Sequence, residues 1–353
     1  MPERAQPSAQ SQLLFLAKLQ RLFSEGDFTA TYKFALLITL ADLAVELGVD
    51  DGSELVLSTR HLADRFIQLY WRQSLPYGTG RDNATPGVLM QNNGAQAVVI
   101  SAIAAFRAKH GVGTPQLART LPDYPALLSA VAQTVSAQPL NYLQNFGGMT
   151  DEFLFERAGV GKVKLKPGVA YCLRRFQPLV QQLARSHWVD HIKGNRRNMG
   201  ILGAADDLED FLFAASRQSS LAMAEGLRKL DGPQCFYCER PLTVADVDHF
   251  IPFSHYPRDL AHNFVLAHPS CNRSKSDTLA AGAHLERWLE RNVRQADPLS
   301  EIGQSAGMMA DVQVSRQVAA WGYRSAMEYG ASAWIAPARY ESIDIGYCSY
   351  FAN

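Results

Sequence analysis

The chain has 353 residues, of which 47% are hydrophobic, so it is long and apolar enough to build two or three folded domains. Lysine and arginine total 34, as do aspartate and glutamate, and this balance excludes a uniformly basic or acidic protein. The five cysteines favour a reducing compartment over a disulfide scaffold. Since the N-terminus lacks the features of a signal peptide and no apolar run approaches the ~20 residues that span a bilayer, we expect a cytoplasmic protein with no membrane partner.

Apolar residues at helical spacing predict an α+β protein that is predominantly helical. The predicted helices cover 13–22, 28–47, 61–73, 95–110, 124–136, 167–193, 206–213, 219–230, 279–292 and 302–329. Short strands are predicted over 55–57, 153–157 and 163–166, the last two as a hairpin, with a long loop over 74–93 and an irregular tail from 334.

The neutral total charge hides one strongly basic segment between residues 160 and 200. It contains one acid, Asp190, against nine basic residues, namely Lys162, Lys164, Lys166, Arg174, Arg175, Arg185, Lys193, Arg196 and Arg197. A cluster of this size is typical of nucleic-acid binding, and a solvated basic face is the other interpretation. The candidates for DNA contact are Lys162, Lys164, Lys166, Arg196 and Arg197.

Two pairs of metal-ligating residues lie further along the chain. Cys235 and Cys238 form a CxxC, and His268 and Cys271 form an HxxC after an intervening stretch. Two such pairs can converge on one tetrahedral zinc ion, with Cys3His ligands. Because four protein ligands leave no open position for water, this zinc is expected to be structural.

The stretch between the two pairs carries acidic, imidazole and amide side chains in a distinctive order. Asp248 and His249 interrupt a short apolar strand, and Asn263 precedes a second one. Asn272 directly follows the last cysteine, with Arg273 and Lys275 one and three residues beyond it. From Cys235 to about Asp277 the sequence resembles the HNH endonucleases, nucleases of the ββα-metal (His-Me finger) type that include bacterial members. One departure is visible, since a histidine stands at position 268 where many zinc-bearing members have cysteine.

The resemblance implies a strand-strand-helix module and a role for each matching residue. Asp248 and Asn272 would hold one divalent cation, Mg²⁺ or Mn²⁺, and His249 would be the general base that activates a water molecule. Asn263 would orient the histidine. Arg273 and Lys275 would grip phosphates of the bound strand, although helix-surface charge is the alternative for both.

These patterns and the resemblance together predict a metal-dependent HNH endonuclease that hydrolyses DNA and is expected in bacterial defence or restriction. The alternative is a non-catalytic, zinc-stabilised nucleic-acid-binding or regulatory protein. The expected partners are double-stranded DNA and either a second copy of the chain or a defence-system protein. The expected segments are a helical domain over 1–150, a basic DNA-binding region over 151–230, the zinc-stapled HNH module over 231–295 and a helical extension over 296–353.

Overall fold

In the computed structural model, which describes residues 6–78, 86–203, 207–214 and 217–352, helices dominate and strands pair only in small sheets. The predicted α+β, predominantly helical fold class is confirmed. The chain divides into two units, Met1–Ala214 and Ala215–Asn353. The four-segment division expected from the sequence stays a prediction. Parts of the predicted loop over 74–93 and of the helix over 206–213 lie outside the described residues.

The first unit is built from helices and short strands in mixed order. Its helices are α1 Ala9–Glu25, α2 Tyr32–Leu47, α3 Thr59–Trp71, α4 Val98–His110, α5 Pro115–Arg119, α6 Tyr124–Ala137, α7 Pro139–Tyr142, α8 Val169–Arg175, α9 Gln177–Gly194, α10 Met199–Leu202 and α11 Leu208–Phe213. Its strands are β1 Leu55–Ser58, β2 Asn145–Phe146, β3 Met149–Thr150, β4 Phe155–Arg157 and β5 Lys162–Leu165.

Helix α2 is the centre of this unit, and all its residues from Tyr32 to Glu46 are buried. A helix that is apolar on all sides is stable only when neighbours cover every face, and α3, α8 and α9 do so here. Its two acids have partners inside the core, as buried carboxylates require. Asp42 accepts hydrogen bonds from the amides of Gln177 and Gln181, and Glu46 is paired with Arg65.

The predicted hairpin is confirmed as β4 and β5, and β1 pairs with the other side of β5. The strand order is β1-β5-β4, so β5 is the central strand of the sheet, and both of its pairings are antiparallel. The turn between β4 and β5 uses Gly159 and Gly161 at φ values of 85° and 68°, which favour glycine. The inward side chains of β5, Val163 and Leu165, are fully buried.

The second unit places a two-stranded sheet among helices. Its helices are α12 Arg217–Asp231, α13 Pro269–Lys275, α14 Gly282–Arg294, α15 Ala296–Ala306, α16 Val312–Glu328 and α17 Gly346–Ser349. Its strands are β6 Asp246–His249, β7 Phe264–Ala267, β8 Ser332–Ala336 and β9 Arg339–Ser342. Strands β6 and β7 are antiparallel, and α13 follows directly, as expected for the strand-strand-helix module.

Aromatic packing and one ion pair fix α14 beside this module. The Trp288 ring stacks on Phe250, with centroids 4.9 Å apart and planes 7° from parallel. Arg291 is buried, donates to both carboxylate oxygens of Asp231 at 3.0 and 2.6 Å, and also donates to the carbonyl of Phe264. The end of α12, the start of β7 and α14 are therefore held together.

The tail beyond residue 334 was expected to be irregular, and that expectation is wrong. Strands β8 and β9 form an antiparallel hairpin, and Trp334 in β8 is buried, with backbone hydrogen bonds to Leu279 and Ala281. The turn places Ala338 at a φ of 59°, a backbone conformation that glycine or asparagine usually occupies. Position 338 therefore lacks the usual turn residue, and only Pro337 marks the turn in the sequence. Among the described residues, no helix is both long and apolar enough to cross a membrane.

Candidate metal centre and active site

The two predicted ligand pairs converge in the second unit. The ligand atoms of Cys235, Cys238, His268 and Cys271 all lie within 4.8 Å of one another. Cys235 and Cys238 come from the knuckle that precedes β6, whereas His268 and Cys271 flank the start of α13. Three sulfur donors and one imidazole form a set that suits tetrahedral zinc, so these residues form a Cys3His cluster of the structural kind.

Hydrogen bonds orient the ligands of this cluster. The Nε2–H of His268 donates to the carbonyl of Pro241 at 3.0 Å, which leaves Nδ1 facing the Cys238 sulfur at 3.3 Å. Fixing one ring nitrogen in this way determines which nitrogen can bind metal. The knuckle turns at Glu239, where the backbone adopts a φ of 59°.

The thiols of the cluster differ in their tendency to ionise. Burial opposes ionisation of Cys235, but hydrogen bonds from the backbone amides of Cys238, His268 and Tyr237 outweigh it and lower the pKa of this thiol to about 7. Burial and the neighbouring Cys235 sulfur raise the pKa of the Cys271 thiol to about 12. Clustered thiolates repel one another, and a cation at their centre would relieve that repulsion.

Strand β6 and helix α13 bring together the polar residues of the resemblance. Because side chains alternate along a strand, Asp246 and Asp248 leave β6 on one face and His249 leaves on the other. The amide of Asn272, on α13, donates to Oδ2 of Asp246 at 3.1 Å. Asp246 had not been predicted as a site residue, and its spacing of two from Asp248 is the signal that could have found it.

Asp248 is buried and already has two donors. The Tyr237 hydroxyl donates to its Oδ2 at 2.5 Å, and the Lys275 ammonium lies 3.1 Å from the same oxygen. Burial and the adjacent carboxylate raise the pKa of Tyr237 well above its usual range, so this hydroxyl keeps its proton. Lys275 also donates to the carbonyl of His249 at 3.0 Å.

The prediction that Lys275 grips a DNA phosphate is wrong. Its side chain is fully buried and its ammonium is paired with Asp248, so no exposed surface is left for a phosphate. The reason is tertiary, since α13 packs against β6 and turns this position inward. Arg273, two residues earlier, is exposed, and its contact with a phosphate stays a prediction.

Asn263 does not contact His249 in the way that the resemblance implied. Its side-chain oxygen accepts from the amide of Ile251 at 2.8 Å, and its Nδ2 donates to the Ile251 carbonyl at 2.9 Å. Asn263 therefore fixes the backbone just beyond β6. The partner of the histidine is Asp259, whose Oδ1 lies 2.7 Å from Nε2 of His249. Asp259 lies in the connection between β6 and β7, where no local pattern marks it.

The predicted DNA contacts of the first unit differ in how free their charges are. Lys164, on β5, is paired with Glu54 at 3.1 Å and Glu156 at 2.7 Å, and Arg174 of the same basic segment is buried against Asp50. The other four candidates are more open. Lys162, Arg196 and Arg197 are exposed, and Lys166 is half-buried.

Two family models match the chain in separate places. The model described as HNH endonuclease matches residues 235–278, which contain the Cys3His cluster, β6, β7 and α13. The model described as a domain of unknown function, DUF8808, matches residues 13–212, which is more than half of the chain. The chain belongs to the DUF8808 family and carries an HNH endonuclease domain. Comparison with curated proteins and with solved structures finds no match.

The two matches follow the division of the structure. The DUF8808 region lies within the unit Met1–Ala214, and the HNH domain lies within the unit Ala215–Asn353. The HNH domain places the second unit in a nuclease family. The DUF8808 region spans the basic segment and the central helix α2, so the first unit has a family of its own.

Proposed function

We propose that the chain is a metal-dependent endonuclease that hydrolyses phosphodiester bonds of DNA at its HNH domain. The observation that supports this most directly is the arrangement of β6 and α13. Asp248 and His249 are consecutive on the strand, and Asn272 lies on the helix packed against it. A protein that only reads nucleic acid has no need for a carboxylate, an imidazole and an amide gathered in this way.

In this proposal each side chain has a separate task. His249 takes a proton from the attacking water, and its side chain is 24% exposed, so solvent and substrate can reach it. Arg273 is exposed one residue beyond Asn272, where its guanidinium would contact a phosphate of the bound strand. Tyr237 and Lys275 hold the Asp248 carboxylate in one orientation.

Asp246, Asp248 and Asn272 would together hold the divalent cation. Two carboxylates and an amide provide the hard oxygen donors that Mg²⁺ and Mn²⁺ prefer, so the residues fit such an ion. When bound, the cation would stabilise negative charge on the scissile phosphate and on the departing 3′ oxygen. The Cys3His cluster, with its soft sulfur donors, would hold zinc and keep the small module folded.

Plasmid cleavage tests the proposal. The purified protein should nick or cut supercoiled plasmid with Mg²⁺ or Mn²⁺ and not with EDTA. His249→Ala should retain the melting temperature and lose activity by about 10²- to 10⁴-fold, the usual contribution of a general base. The exposed His61 supplies a matched control, since His61→Ala should leave cleavage unchanged.

An active His249→Ala protein would overturn the assignment of the base. A wild-type protein that binds DNA without cutting it under any of these conditions would favour the alternative, a zinc-stabilised reader or regulatory protein. Double-stranded DNA as the substrate, a homodimer or defence-system partner, a cytoplasmic location and a role in bacterial defence or restriction stay predictions.

A further inference from the structure

We propose that Asp259 is a positioning residue for His249, and this inference rests on the proposed function of the HNH domain. The Oδ1 atom of Asp259 lies 2.7 Å from Nε2 of His249, within the range of charge-assisted hydrogen bonds. An ionised carboxylate can only accept, so the ring must carry its proton on Nε2. The neutral ring then presents Nδ1 as its acceptor, and Nδ1 is the nitrogen left to receive a proton from water.

The surroundings of the ring also restrict its rotation. Phe264 lies with its centroid 4.4 Å from that of His249, and Phe253 lies 5.4 Å away. With aromatic neighbours and one nitrogen bonded to a carboxylate, the imidazole has few alternative orientations. Fixing a catalytic group before the substrate binds avoids the entropy of arranging it during the reaction.

The segment that carries Asp259 is itself anchored. Immediately after it, Leu260 forms a backbone bridge with Met309, and the amide of Ala261 donates to the Met309 carbonyl at 2.8 Å. Four residues beyond Asp259, Asn263 is bonded through its side chain to Ile251. The carboxylate is therefore supported by a backbone held on its C-terminal side, and its own side chain is 18% exposed.

The chemical step that this arrangement supports moves one proton from water and exchanges one oxygen bond at phosphorus. A water molecule gives a proton to Nδ1 of His249 while its oxygen forms a bond to phosphorus, and the bond from phosphorus to the 3′ oxygen breaks. The 3′ oxygen takes a proton from solvent, and His249 later returns its proton to solvent. Throughout, the Asp259 carboxylate keeps its hydrogen bond to Nε2–H and stabilises the imidazolium that forms, without itself being protonated.

The first test reads the tautomer directly and needs no enzyme activity. In protein labelled with ¹⁵N-histidine, the signals of His249 are assigned by their loss in His249→Ala. We expect the wild-type ring, when neutral, to be the Nε2–H tautomer and Asp259→Asn to shift it toward the Nδ1–H form. Asp297, an exposed aspartate in the same unit, provides the matched control, since Asp297→Asn should leave these signals unchanged.

The second test is kinetic. Asp259→Asn should lower kcat by at least about 10-fold, short of the ~10⁴-fold loss for a buried aspartate behind a catalytic histidine, because this pair is partly exposed. KM should change little, since Asp259 acts through His249, and Asp259→Glu should restore part of kcat. If Asp259→Asn lowers the melting temperature, Asp259→Glu serves as the folded comparison.

The outcomes separate this inference from the function on which it rests. An unchanged tautomer in Asp259→Asn, or an unchanged kcat, overturns the role of Asp259. A wild-type protein without nuclease activity refutes the proposed function instead, and the NMR measurement still decides whether Asp259 sets the tautomer of His249.

Discussion

The ammonium of Lys275 lies 3.1 Å from the carboxylate of Asp248, and both side chains are buried in the HNH domain. The same ammonium donates to the backbone of His249. One lysine thus neutralises an acid of the candidate active site and holds the strand that carries the general base. This pairing leads to a prediction about stability that differs from the effect of losing a DNA contact.

Replacing Lys275 by methionine should lower the free energy of unfolding of the second unit by about 3–5 kcal/mol. The change keeps the approximate length of the side chain but leaves the Asp248 carboxylate charged, buried and without the ammonium of Lys275. Removing one partner of a buried ion pair in this way is strongly destabilising. Urea denaturation measures the effect. The exposed Lys229, in the same unit, gives the matched control, and Lys229→Met should stay within about 0.5 kcal/mol. Equal, small effects of both changes would contradict the buried pair.

Removing one ligand of the Cys3His cluster should release zinc and unfold the module around it. Structural zinc in small domains contributes apparent binding free energies of about 10–16 kcal/mol, comparable with the whole stability of a domain. We therefore expect Cys271→Ser to lose about one equivalent of zinc by elemental analysis and to melt at a lower temperature. Cys348→Ser, outside the cluster, should keep both properties. Full zinc retention in Cys271→Ser would exclude the assignment.

Acid should destabilise the second unit partly through His262. This residue is fully buried, and its Nε2–H donates to the carbonyl of Ala296 at 3.1 Å. Burial is the largest influence and lowers its pKa, and nearby Arg291 lowers it further, while the hydrogen bond to Ala296 and the charge of Asp311 act in the opposite direction. The folded state therefore binds fewer protons than the unfolded state just below the ordinary histidine pKa of about 6.5.

This difference in protonation determines whether stability rises or falls with pH. Stability from His262 is fully present above about pH 6.5 and is lost as the pH falls toward the depressed pKa of the folded state. Unfolding free energies measured between pH 7.5 and 5 should fall less steeply in His262→Gln than in the wild type. The exposed His61, replaced in the same way, is the control. An identical slope in His262→Gln and in the wild type would refute this.

The basic segment of the first unit should contribute to DNA binding through its exposed arginines. The double change Arg196→Ala and Arg197→Ala should weaken binding and reduce the slope of log K against log salt by about 2, if each arginine neutralises one phosphate. Lys164→Ala should have the smaller effect, because Glu54 and Glu156 already balance this lysine. Fluorescence anisotropy at several salt concentrations distinguishes them, and equal effects of the two variants would count against this prediction.

Local patterns in the sequence determined much of the second unit. The spacing of the two ligand pairs predicted the Cys3His cluster, because zinc geometry restricts where its ligands can stand. The order of Asp248, His249 and Asn272 carried the resemblance to the HNH endonucleases, which implied the strands and helix that hold them, and the matching family model supports the HNH domain. In the first unit, the largely apolar α2 and the β4–β5 hairpin also followed from residue patterns alone.

Only the tertiary structure decided which of these side chains face one another. Lys275 reads as surface charge in the sequence, but the packing of α13 against β6 buries it on Asp248. Asp259 carries no local signal, because a connection between strands has no period and its position depends on contacts with Met309, some fifty residues further along the chain. The sequence by itself determined which chemical groups are present, and the fold decided their partners, because hydrogen bonds and ion pairs depend on distances that sequence spacing does not fix.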